Sequence, residues 1–197
     1  MTNFTVTTGN DDAFDGGDLA AETADGGGLS LREALGLANA NADVDTITFD
    51  ASLSGSTLTL SGSELVISNS VTIDGDIDGD NRADITIDAN GGSRVFNVTG
   101  GTSTLDSLVI TGGNAVNGGG INIAGGGGLF FSSPALTVAN TTISNNSAVN
   151  GGGIFSQGDL TITNSLITGN DATDDGGGIY LVNGDTLITS STRPVIQ

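Results

Sequence analysis

The densest run of metal-seeking groups in the chain is Asp74-Gly-Asp76-Ile-Asp78-Gly-Asp80-Asn-Arg82-Ala-Asp84. Counted from Asp76, carboxylates fall at positions 1, 3, 5 and 9, and the main-chain carbonyl of Arg82 occupies position 7. A hard cation such as Ca²⁺ takes roughly six to eight oxygens at about 2.3–2.6 Å, and a short loop that offers alternate residues supplies them. Asp76, Asp78, Asp80, Asp84 and the Arg82 carbonyl are therefore the expected metal ligands, with Asp74 as an outer carboxylate. Asn81 tolerates the positive φ that such a tight loop requires. Carboxylates this close repel one another unless neutralised, so calcium is expected in preference to a bare acidic turn.

The remaining chemistry-bearing residues are sparse. A second acidic stretch, Gly9-Asn-Asp-Asp-Ala-Phe-Asp-Gly-Gly-Asp18, is a lesser calcium candidate. The chain has no His, Cys or Lys, so few groups remain for general acid–base work. Of the four arginines, Arg32 falls in a helical pattern, Arg82 in the acidic loop and Arg193 near the end. Arg94 is expected to pair with a neighbouring Asp. The adjacent Asp174-Asp175 occupy a repeat position held elsewhere by Val149-Asn150, which reads as a turn. No catalytic residue is expected. The rival enzymatic reading is a polysaccharide lyase or hydrolase. Thr46-Ile-Thr48, Thr57-Leu-Thr59 and Thr161-Ile-Thr163 would make a hydroxyl face if stacked, but in sequence they are scattered. Leu129-Phe-Phe131 is an apolar loop tip that either docks on a partner or lies over its own chain.

The elements that must position these groups follow from composition and repeats. The 197 residues carry a net charge of −19, with 33 glycines and 4% aromatics. Such a field repels nucleic acid and anionic membrane surfaces. No apolar run is long enough to span a membrane and no Sec signal peptide is visible. Leu136 and Leu160 are 24 positions apart, as are Ile143 and Ile167, while Gly153 and Gly178 are 25 apart. An earlier copy ends at Gly120-Ile121, with Gly120 and Gly153 separated by 33. Its about nine extra residues are placed in an outward loop near 125–134. Each copy holds short alternating strands broken by Asn or Gly, a period too short for a propeller blade and without a helix. One repeat is one turn of a solenoid, rising by about 4.8 Å. Asn69, Asn140 and Asn164 are placed at like positions, where amides could form a ladder. Ser30-Leu-Arg-Glu33 reads as a capping box opening a helix with the apolar stripe Leu31, Ala34, Leu35 and Ala38. This is the one helix expected, a lid over the N-terminal end, and residues 9–28 are expected to be loop.

Leu29-Ser-Leu-Arg-Glu-Ala-Leu-Gly-Leu-Ala-Asn, followed by Asp45-Thr-Ile-Thr-Phe-Asp and Val71-Thr-Ile-Asp-Gly, resembles the CSLREA domain that begins bacterial right-handed parallel β-helix proteins. Leu29 stands where that family has Cys. The Gly-Gly-Gly-Ile repeats resemble those of polymorphic outer-membrane and autotransporter-like passengers, without their Phe-x-x-Asn companion. The acidic loop resembles the calcium loops of integrin-type and FG-GAP repeats. An EF-hand is disfavoured, because Ile85 falls where the bidentate Glu would stand if counting began at Asp74. The resemblance implies right-handedness and a secreted, surface-associated setting. The expectation is thus all-β: a single-stranded right-handed parallel β-helix (β-solenoid) of about seven coils, 1–44 forming the N-terminal strand, acidic loop and capping helix and 45–197 the coils. Its expected work is that of a calcium-stabilised extracellular structural or adhesive module, exported by a C-terminal signal outside this chain. Self-association or a longer parent chain is the expected partner. Carbohydrate binding and an ice-binding-type Thr-rich solenoid are the alternatives.

Overall fold

A computed structural model describes residues 1–25, 27–125 and 133–189. Four parallel sheets hold its strands, and in each sheet the spatial order follows the chain order. The first, seven-stranded, contains Asn3–Val6, Asp45–Phe49, Val71–Asp74, Thr102–Asp106, Ala135–Ala139, Asp159–Thr163 and Thr186–Thr189. The second contains Thr57–Thr59, Ile85–Asp88, Leu108–Thr111, Thr142–Ser144 and Leu166–Thr168. The third contains Leu65–Ile67, Phe96–Val98, Ile121–Ile123, Ile154–Ser156 and Ile179–Leu181. A short fourth sheet, Asn114–Asn117, Ser147–Asn150 and Asp171–Ala172, enters only in the later rungs. The chain visits the sheets in turn and then repeats, an all-β, solenoid-like architecture.

Alternation within each strand sends apolar side chains inward, and parallel register stacks them. Phe4, Ile47, Ile73, Leu105, Val138 and Ile162 form one such column. Leu58, Ile87, Ile110, Ile143 and Ile167 form another. All are buried and belong to one hydrophobic cluster. Each contributes roughly 1.5–3 kcal/mol by leaving water. The repeat spacings translate directly into register: Leu136 pairs Leu160, Ile143 pairs Ile167, Ile154 pairs Ile179 and Ile121 pairs Ile154. The extra residues of one rung fall between Ile123 and Ala135. Leu129–Phe131, Arg193 and Pro194 lie outside the described residues.

The corners explain the punctuation. Gly151, Gly152, Gly153 and Ile154 donate in succession to the carbonyls of Asp175, Gly176, Gly177 and Gly178, so the triple-glycine corners form a backbone ladder. A Cβ at Gly153 would stand 2.5 Å from the Gly178 oxygen, which excludes a side chain there. Asn140 and Asn164 turn the corner after the first sheet at φ of 49° and 50°. Asn69 does not share their position. It precedes the strand Val71–Asp74 and donates to the Asn41 carbonyl on the lid. The misplacement arises because the 74–84 loop breaks the regular spacing. Amide ladders form elsewhere: Asn122 Nδ2 donates to Asn97 Oδ1 (2.8 Å), and Asn97 Nδ2 to Glu64 Oε1 (2.6 Å). Inside the stack, buried Asn146 donates to the carbonyls of Ile110 and Ser144 and to Asn170 Oδ1.

The N-terminal end carries two helices rather than one. Helix α1 (Leu19–Asp25) rises inside the stretch expected to be loop, with Asp18 Oδ1 accepting the Ala20 and Ala21 amides. Helix α2 (Leu31–Ala40) opens with the expected capping box, Ser30 and Glu33 bonding reciprocally. It lays Leu31, Ala34, Leu35 and Ala38 on Asn3–Val6, Asp45–Phe49 and Leu65–Ile67. No helix among the described residues is long and apolar enough to cross a membrane.

Candidate metal site and its surroundings

The 74–84 loop leaves the first sheet after Asp74 and re-enters the second at Ile85, so two core strands fix its ends. Its turns are held by its own carboxylates. Asp76 Oδ1 accepts the Gly79 and Asp80 amides, and its Oδ2 the Asn81 amide. Asp84 Oδ2 accepts the Ile77 and Asp78 amides. Asn81 adopts φ 59°, the left-handed conformation read from its place in the motif.

Asp76, Asp78 and Asp84 each turn one carboxylate oxygen into a group lying within 4.8 Å of one another, the one such acidic group among the described residues. This oxygen-only donor set fits a hard cation, and its half-buried Asp76 and Asp84 are restrained by the loop amides they accept. Asp80 is not part of the convergence: its carboxylate lies 3.7 Å from the Arg82 guanidinium, whose side chain is 84% exposed. Asp74 stands beside the site, in register with Asp106 on the neighbouring strand. Burial, together with the Asp106 and Asp76 charges, pushes its carboxyl up, against a hydrogen bond from the Asp76 amide.

In the other acidic stretch the groups are committed differently. Asp11 accepts from Arg32 Nε (2.8 Å) and Nη2 (3.0 Å) and from the Ser61 amide and hydroxyl (2.6 and 2.8 Å). Arg32 also donates to the Ser63 and Glu64 carbonyls, tying α2 to the first rung. Arg94 pairs with Glu64 at 2.6 Å rather than with an Asp, and donates to the Asn117 carbonyl. Charge type alone favoured Asp, the commoner acid; the third sheet's register puts Glu64 within reach instead. Asp174 and Asp175 are exposed in a bend, as their repeat position indicated.

The threonines scattered in sequence are gathered by the register. Thr46, Thr72, Thr104, Thr137 and Thr161 stand on successive strands of the first sheet, facing outward. Thr57-Leu-Thr59 belongs to the second sheet, where Thr57 pairs Thr86. Comparison of the chain with protein-family models, curated proteins and solved structures found no match.

Proposed function

We propose that the chain is a right-handed parallel β-helix of about seven coils, serving as a stiff, acidic, calcium-stabilised structural or adhesive module outside a bacterial cell. The observation that carries this reading is the convergence of Asp76, Asp78 and Asp84 on a loop anchored at both ends in the stack. Calcium there would screen mutual repulsion and lock the loop between two sheets. The seven-stranded first sheet supports the coil count, and the resemblance in residues 29–74 supports the hand and the setting. The absence of His, Lys and Cys favours a passive role over polysaccharide cleavage. Partners are further copies of the chain or a longer parent protein. The test is negative-stain electron microscopy with thermal unfolding, in millimolar calcium and in chelator. Calcium-dependent filaments or a calcium-dependent rise in Tm, abolished by D76N/D78N/D84N, support the reading. Identical behaviour in both conditions overturns it.

A second reading rests on the threonine row. β-Branched side chains are stiff at χ1, so Thr46, Thr72, Thr104, Thr137 and Thr161 present methyls and hydroxyls at the rung spacing of about 4.8 Å. Such a face orders water and suits an ice surface. Thermal hysteresis, lost on T104K, would favour it over the structural role.

A further inference from the structure

Four buried carboxylate oxygens have no hydrogen-bond partner among the described residues, and three belong to the N-terminal cap: Asp12 Oδ2, Glu22 Oε2 and Glu33 Oε1. The cap's arginine cannot answer them, because Arg32 is held by both oxygens of Asp11. Glu22 is the sharpest case. Its side chain is fully buried in the turn between residues 15 and 22. Its Oε1 accepts the Gly17 amide at 2.7 Å, and the same amide donates to Asp15 Oδ1 at 3.1 Å. Two carboxylates thus converge on a single N–H, with Glu22 Oε2 left over. A buried carboxylate with so little compensation is strongly unfavourable, and one shared amide does not neutralise two of them.

We propose that Asp15 and Glu22 form a cation site in the cap, taking a hard divalent ion of the calcium class through Glu22 Oε2 and an Asp15 oxygen. The ligand chemistry is all oxygen, and carbonyls of the surrounding glycine-rich turn are of the type that completes such a shell. The ion ties the start of α1 to the turn before it and so consolidates the lid over the first rung. This site is separate from the 74–84 loop and stands or falls without it. The competing occupant is a proton, which would make Glu22 a neutral donor to Asp15.

Calcium titration by calorimetry on D76N/D78N/D84N isolates the cap. One bound ion is expected, with affinity reduced tenfold or more on adding the near-isosteric E22Q or D15N. Amide exchange on the unmodified protein gives a readout that needs no variant: calcium should slow exchange at Gly17 and through Leu19–Asp25, and chelator should restore it. No ion bound by D76N/D78N/D84N, or equal affinity with and without E22Q, overturns the proposal. So does exchange at these amides that slows on acidification but ignores calcium, which assigns the site to a proton. Loss of the loop ion alone, with the cap ion retained, counts against the 74–84 reading and leaves this one standing.

Discussion

Replacing Asp11 by Ala removes four hydrogen bonds at once and strands a charge. The Asp11 and Arg32 side chains are 6% and 16% exposed, so solvent does little to replace what is lost. Arg32 keeps the Ser63 and Glu64 carbonyls as acceptors, which limits the damage below that of a wholly unpaired buried ion. With hydrogen bonds to charged groups contributing about 1.5–3 kcal/mol each in net terms and a broken buried pair costing about 3–5, D11A should destabilise the lid by about 3 kcal/mol. R32M alone should cost a similar amount, because it leaves Asp11 facing only Ser61. The double variant D11A/R32M should cost less than the sum, with a coupling of about 2 kcal/mol. Urea unfolding, with amide exchange in Leu31–Ala40 as the local probe, measures all three. Single-variant effects that add to within about 0.5 kcal/mol would refute the claim that these two residues act as one clamp.

The same pair sets a pH dependence. Burial raises the Asp11 carboxyl, but the bonds from Arg32 and Ser61 outweigh it, so its pKa lies below the ordinary 3.8. Its contribution is therefore complete above about pH 4 and is lost as pH falls through the depressed folded value; acid titration of lid exchange should show this and D11A should abolish it. In the core, Leu105→Ala removes the middle of the inward column of the first sheet and should cost about 2–5 kcal/mol by thermal or urea unfolding. Asn146→Ala leaves the Gly113 amide and the Ile110 carbonyl without a side-chain partner and should cost about 1–3 kcal/mol, whereas the exposed Asn145→Gly, at φ 56°, should be near neutral or stabilising in the same assay.

The legibility of the fold in the sequence depended on spacing. Where two rungs have equal turns, as between Leu136 and Gly178, counting residues recovers register, since identical corners return the chain to the same sheet position. Where a functional loop is spliced in, counting fails. The 74–84 excursion made Val71–Asp74 resemble a second-sheet strand, when it pairs with Asp45–Phe49 and Thr102–Asp106 of the first. That slip displaced Asn69 and hid the threonine row, whose members are spaced unevenly along the chain. Helix α1 was missed because glycine and aspartate on either side mask seven residues with no apolar stripe of their own. In the candidate site, motif spacing picked out Asp76, Asp78 and Asp84 but had no means of turning Asp80 toward Arg82, which depends on local loop geometry. The Asp15–Glu22 convergence carried no motif, only burial that becomes visible once the cap is folded.

The glycine corners at residues 118–120, 151–153 and 176–178 bond only to their immediate neighbours along the stack. Each rung is therefore an interchangeable spacer. Duplicating the segment from Leu136 to Asp159 inserts one more rung and advances everything beyond it by about 4.8 Å, with every earlier contact unchanged. Reach in this molecule is quantised: it grows by whole rungs, so the distance between two groups carried on it behaves as a ruler with a fixed graduation.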